Sequence, residues 1–185
     1  MIGAVLAGGE GSRFGGGKPA AVLAGRPLVS YPVSALAEVC SRVAVVCKRG
    51  TVLPDLDGAE RWEEPDEPQH PLTGIVFALS QADGEPVLVC AADMPFVTAD
   101  ACRTLLKAPA KGPAVVAVAD GVLQPTFGLY APQALDVLRA APPDTRLTDT
   151  VEQLGPVRVA LPARLVRSVN TREELADAEK VVAAA

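Results

Sequence analysis

The sequence predicts one α/β domain over residues 1–185, with a mostly parallel twisted sheet, one antiparallel strand and helices on both faces. Short apolar runs at Ile2–Ala7, Arg42–Cys47 and Pro86–Ala92 have the length and the flanking turn signals of buried strands. Between them lie stretches with apolar residues at helical spacing, which is the strand, helix, strand order of parallel crossover units. Hydrophobic residues make up 49% of the chain but aromatic ones only 4%, so the core is aliphatic, mainly Ala, Val and Leu. The 17 prolines and 16 glycines are spread along the length, so nothing marks a domain boundary, and no internal repeat is visible.

In chain order, the first strand runs into Gly8 and Gly9. The loop up to Lys18 carries Gly8, Gly9, Gly11, Gly15, Gly16 and Gly17, with Arg13 and Lys18 as its only cations. A backbone without Cβ atoms turns at positive φ and brings its N–H groups against a ligand, and successive amides in one concavity form an anion nest. Two cations beside such a nest suit a polyphosphate better than a single carboxylate. Neither common glycine fingerprint fits. Pro19 follows Lys18 where a P-loop needs Ser or Thr, and Phe14 stands where GxGxxG needs its last glycine.

Ala20–Leu23 is expected to be extended, Gly25 to turn into Pro27, and Leu28–Val39 to be helical with Pro32 in its first turn. Residues 51–62 stay ambiguous because Pro54 and Asp57-Gly58 break them. The acidic, proline-rich stretch at 63–71 reads as a solvated loop before a helix at Ile75–Gln81. Asp93 closes the third strand, where a charge packs poorly but is well placed for a ligand, since sites in open parallel sheets gather outside the carboxyl ends of strands. Thr98 or Asp100 caps a helix at Ala101–Lys107. A strand at Pro113–Ala119 turns at Asp120-Gly121 into Pro125–Tyr130, either as a hairpin or as an antiparallel edge strand beginning at Pro125. Ala131–Arg139 and Thr145–Leu154 read as helices, the second capped by Asp144, and Val157–Leu161 and Leu165–Val169 as short strands. Thr171 and Glu174 make a capping box for a last helix at Arg172–Val182.

A net charge of −5 without a basic run argues against nucleic-acid binding, which neutralises phosphates with clustered Lys and Arg. No apolar run reaches the roughly 20 residues of a membrane span, and no charged segment precedes a hydrophobic one at the N-terminus, so a cytoplasmic protein is expected. Cys40, Cys47, Cys90 and Cys102 form no CxxC pair and are expected to be free thiols, and the single histidine, His70, is expected to be a loop residue.

LAGGEGSRFGGGK, from Leu6 to Lys18, resembles the loop L-A-G-G-x-x-x-R-M-G-x-x-K of the GT-A-like nucleotidyltransferases, whose domain is Rossmann-like. It is most similar to the loop of the molybdenum cofactor guanylyltransferases. Collinear resemblances follow at Pro71–Gly74, Ala92–Phe96, Gln124–Tyr130 and Ser168–Leu175, while Phe14, Gly17, Cys47, Gln124 and Ser168 depart from the family's residues. The resemblance implies that backbone at Leu6, Ala7 and Gly8 holds the base and ribose of a nucleotide, with Gly9 pointing to the guanylyl branch, and that Arg13 and Lys18 hold phosphates. It places the family's nucleotide-binding acid at Glu64, or at Glu63 without a gap. It implies that Asp93 holds Mg²⁺ and that Asn170 approaches the metal or the second substrate. The implied reaction transfers GMP from GTP to molybdopterin, with or without molybdenum, and releases pyrophosphate, with Arg13, Lys18 and Asp93 as its catalytic residues. Two alternatives stay open: a related transferase using CTP or another NTP on a pterin, sugar or small phosphate, and a non-catalytic nucleotide-binding module.

Overall fold

The structure is a computed structural model and describes residues 1–9, 14–109, 111–142 and 145–183. Its centre is a seven-stranded sheet built from β1 (Ile2–Leu6), β4 (Arg42–Cys47), β5 (Ala59–Glu63), β6 (Val87–Ala91), β7 (Ala114–Ala119), β8 (Val122–Tyr130) and β9 (Val157–Ala160). The order across the sheet is β5-β4-β1-β6-β8-β7-β9. All neighbours pair in parallel except β8, which runs antiparallel to both β6 and β7. A separate two-stranded ribbon joins β2 (Val22–Leu23) to β3 (Arg26–Pro27) after the glycine loop.

Period-2 alternation divides the strands between two faces, as a pleated sheet requires. Val5 and Ala7 pack with Val33 and Leu36 of α1 (Ser30–Ala37) and Leu105 of α3 (Ala99–Lys107). Ile2 and Ala4 pack with Ile75 and Leu79 of α2 (Pro71–Gln81), Leu138 of α4 (Ala134–Ala140) and Val151 of α5 (Leu147–Glu152). The two aliphatic cores on opposite faces make the predicted layered architecture. The last helix, α6 (Arg172–Ala183), packs Ala178 against Leu23, Leu28 and Val169. No helix among the described residues is long and apolar enough to cross a membrane.

Four local expectations change. Residues 59–63 form an edge strand whose AERWE sequence is polar on both sides. Only Ala59 and Trp62 pack on the two cores, so the strand shows no apolar run, and the exposed Arg42–Glu60 ion pair at 2.9 Å adds little to its ladder with β4. Helix α2 begins at Pro71 rather than Ile75, because Pro71 suits the first helical position and His70 is its N-cap. The His70 Nδ1 accepts the Leu72 N–H at 3.2 Å, so His70 is more than a loop residue. Leu165–Val169 is not a strand. A 3₁₀ turn covers Ala163–Leu165, and the chain then crosses the end of the sheet with the Val169 N–H bonded to the Asp93 carbonyl at 2.8 Å. The expected cap at Asp144 lies outside the described residues.

The fourth change is at β8: of the two readings left open the hairpin with β7 holds, but β8 begins at Val122 and is interior rather than an edge starting at Pro125. Pro125 is accommodated by a break in the β7 ladder. Val116 faces Gly128 while Ala117 faces Gln124, leaving Pro125 free of any pairing that would need its missing N–H. The Tyr130 hydroxyl donates to the Pro125 carbonyl at 2.6 Å and fixes this irregularity from within the core. At Gly128 a Cβ would stand 2.9 Å from the Val115 carbonyl oxygen and 3.1 Å from Val116 Cγ2. Gly128→Ala is therefore expected to lower stability by about 1–3 kcal/mol in urea unfolding, as overpacking between strands does. A change in midpoint smaller than the error would refute this close approach.

Candidate active site

The ladders set four strand ends in register. Leu6 pairs with Val46 and Ala91, and Val46 pairs with Trp62. Two residues further along each chain, Glu64, Lys48, Gly8 and Asp93 stand in a row across the carboxyl edge of β5, β4, β1 and β6. With neighbouring strands about 4.8 Å apart, Glu64 and Asp93 are three steps, or roughly 14 Å, from each other. All four residues line one cavity of about 380 Å³, together with Gly9, His70, Gly74, Thr126 and Ser168. The glycine loop and the Asp93 carboxylate therefore share one cleft. A smaller hollow of about 90 Å³ beside it is lined by Ala7, Gly9, Lys18 and Asp93.

At the β6 end, Lys18 Nζ lies 2.6 Å from Asp93 Oδ2 and 3.0 Å from Asn170 Oδ1, so residues from the start, middle and end of the chain meet on one ammonium. Gly15, Gly16 and Gly17 reach Lys18 at φ values of 83°, 88° and 63°, a left-handed run that only glycine adopts without strain. Asn170 is held by the capping of α6. Thr171 Oγ1 accepts the Glu174 N–H at 3.1 Å, and the Glu174 carboxylate accepts the Asn170 N–H. Arg13 lies outside the described residues.

At the β5 end, Glu64 is 6% exposed, and its Oε2 has no hydrogen-bond partner among the described residues. Lys48 Nζ stands 3.5 Å from Glu64 Oε1 and donates to the Pro65 and Pro68 carbonyls. Burial pushes the Glu64 carboxyl above its usual range, and the Lys48 ammonium draws it part of the way back. Glu63, by contrast, faces outward and pairs with Arg61 at 3.0 Å, so Glu64 is the acid that lines the cavity.

A family description as MobA-like NTP transferase domain matches residues 3–159. The chain belongs to the MobA-like NTP transferases. A relative from Cereibacter sphaeroides named molybdenum cofactor guanylyltransferase is 32% identical over 98% of this chain and 97% of its own. The solved molybdopterin-guanine dinucleotide biosynthesis protein A of Archaeoglobus fulgidus superposes with a TM-score of 0.76 at 23% identity, covering 100% of both chains. The Thermus thermophilus 2-C-methyl-D-erythritol 4-phosphate cytidylyltransferase does so at 0.74 and 18% identity, over 99% of this chain and 98% of its own. Both superpositions establish the fold.

Within this MobA-like transferase, Leu6, Gly8, Gly9, Glu64 and Asp93 line the cavity, Ala7 and Lys18 line the adjoining hollow, and Asn170 reaches it through Lys18. Lys48 was not singled out by the sequence. The residue leaving β4 toward the site reads as Cys47, yet Cys47 is fully buried against the α1 face, and strand alternation turns the next residue, Lys48, to the cavity. The signal that could find it is the period-2 count from Val43. The four cysteines are free thiols. Burial raises Cys40 to about 11 and Cys102 to about 12, which leaves them protonated and poor nucleophiles.

Proposed function

We propose that this MobA-like transferase moves GMP from GTP to molybdopterin and releases pyrophosphate. The observation that carries the reading is the row at the carboxyl edge, in which a buried acid and the phosphate-facing pair Lys18–Asp93 lie at opposite ends of one cleft, about one nucleotide apart. The name of the Cereibacter sphaeroides relative supports the choice of substrates. Small soluble anions as substrates also fit a cytoplasmic enzyme that works on neither membrane nor nucleic acid.

In this reading a terminal phosphate oxygen of the pterin attacks the α-phosphorus of GTP. A new P–O bond forms, the bond from the α-phosphorus to the oxygen bridging to the β-phosphate breaks, and pyrophosphate leaves with that electron pair. The attacking oxygen belongs to the acceptor, so no side-chain nucleophile is required. Lys18 offsets charge gathering on the leaving group, and the glycine-loop amides at Gly8 and Gly9 hold the nucleotide in line. The loop cation Arg13, outside the described residues, is proposed as a second cation for the phosphates.

The donor set at the β6 end fits Mg²⁺. Asp93 and Asn170 each turn a side-chain oxygen to the same cationic nitrogen, and hard oxygens around a single positive centre are what Mg²⁺ takes. Asp93 would hold the ion, with Asn170 beside it. No cluster of three or more His, Cys, Asp or Glu occurs among the described residues, so substrate phosphates and water would complete the shell. Bound there, Mg²⁺ would neutralise phosphate charge. Asp93 accepts from Lys18 in the structure described, and handing that contact to phosphate frees Lys18 for the leaving group.

The test is pyrophosphate release with purified protein, molybdopterin, Mg²⁺ and each of GTP, CTP, ATP and UTP. Release with GTP that depends on the pterin is expected. Release with CTP alone would replace guanylyl by cytidylyl transfer, and nucleotide binding without release would make the chain a binding module.

A further inference from the structure

We infer that Lys48 is a positioning residue that sets base selectivity, by holding the Glu64 carboxylate to receive the paired N–H donors of guanine. The inference rests on the nucleotide site proposed above and adds a residue and a recognition rule to it. Lys48 spends its three donors on one segment: the Glu64 carboxylate at 3.5 Å, the Pro65 carbonyl, and the Pro68 carbonyl at 3.4 Å. It thus fixes the wall from which Glu64 faces the cavity. On the other side the constraint comes from Gly8. A Cβ at Gly8 would stand 1.9 Å from Glu64 Oε1, and one at Gly74 would stand 3.5 Å from Oε2. Gly8 therefore leaves room for a carboxyl group that, among the described residues, has Lys48 as its only partner, on Oε1.

An ionised carboxylate only accepts hydrogen bonds, and leaving one of its oxygens buried and unpaired is costly. A ligand that supplies N–H donors there removes that cost. The carboxyl turns readily about its last side-chain bond, a broad twofold torsion, so both oxygens are available to such donors. A phosphate at this end would meet Glu64 with Lys48 already spent on that carboxylate and two carbonyls, whereas at the other end the Mg²⁺ proposed on Asp93 would offset the charge of phosphates beside Lys18. That leaves the base. Among the common bases guanine alone presents two adjacent N–H donors, at N1 and N2, along its pairing edge. Adenine and cytosine offer one amino group beside a ring acceptor, which an anion disfavours.

The groups facing Glu64 are Lys48 from the end of β4, with the buried Cys47 thiol beside it and His70 and Asp93 on other walls of the cavity. Lys48 is the one that stabilises the ionised form of Glu64. Without it, burial acts alone, the carboxyl protonates at a higher pH, and guanine loses its acceptor sooner as the pH falls.

The test measures binding of GTP, ITP, ATP and CTP with Mg²⁺ by calorimetry between pH 5 and 8, on the full chain and on Lys48→Met, Lys48→Arg and Glu64→Gln. ITP lacks the N2 amino group. The unaltered protein should prefer GTP to ITP by at least about tenfold, the worth of one charge-assisted hydrogen bond. Lys48→Met should shrink that ratio to about threefold or less and move the loss of GTP affinity to higher pH, whereas Lys48→Arg should restore both. Glu64→Gln should abolish the ratio, and it carries the test if Lys48→Met fails to fold. An unchanged ratio and pH profile in Lys48→Met, or no preference for GTP in the unaltered protein, overturns the inference. Selective GTP binding without pyrophosphate release leaves it standing and overturns the transferase reading instead.

Discussion

Asp93→Asn is expected to lower pyrophosphate release by at least about 10²-fold while the protein stays folded, since catalysis by placed charge loses that much when one contributing group is removed. The asparagine keeps the shape of the side chain and an oxygen for Lys18 Nζ, which in the structure is 2.6 Å from Asp93 Oδ2. The backbone contact from the Val169 N–H to the Asp93 carbonyl is untouched. What is lost is the negative charge proposed to hold Mg²⁺. The effect should therefore fall on kcat and on the Mg²⁺ concentration needed for half-maximal rate, with little change in melting temperature. Activity within about threefold of the unaltered protein, at the same Mg²⁺ requirement, would remove Asp93 from the chemistry.

Gly8→Ala should strike the opposite end of the cleft. The added methyl would sit 1.9 Å from Glu64 Oε1. Glu64 Oε1 ends a flexible side chain, but Glu64 is 6% exposed and paired with Lys48, so its carboxyl gives way only by turning into the cavity. Moving it breaks the Lys48 ion pair and fills the space the base would use. The expected result is a loss of GTP affinity of about tenfold or more with a smaller loss of stability, read by calorimetry and thermal unfolding side by side. Equal GTP affinity in the variant would show that this part of the cavity does not receive the nucleotide.

Much of this arrangement is legible in the sequence because strands buried on both faces write themselves as apolar runs. β1, β4 and β6 are such runs, and Gly8 and Asp93, two residues past the ends of β1 and β6, stand out against them. β5 is missed for the same reason reversed. As an edge strand it exposes most of its side chains and shows no run. The interior place of β8 depends on pairing with β6 and β7, and Pro125 argues locally for an edge. Only the register break shows how a proline is tolerated there. The bounds of β4 match the sequence reading, but a run apolar on both faces does not show which face its end turns to the site, and only alternation from Val43 assigns Cys47 to the core and Lys48 to the cavity. His70 looked bland because capping is a property of the turn that follows it, and Pro71 gave that turn away.

The lone reversed strand also bears on how the polypeptide assembles during synthesis. The half of the sheet that faces the nucleotide, β5-β4-β1-β6, is encoded by residues up to Ala91, whereas β6 acquires its other neighbour only when β8 is complete at Tyr130. In that interval VLVCA offers an apolar, unpaired border of the kind that recruits strands from other chains. The tight β7–β8 turn at Asp120-Gly121, both at positive φ, folds β8 back as a hairpin and so presents the strand that covers this border.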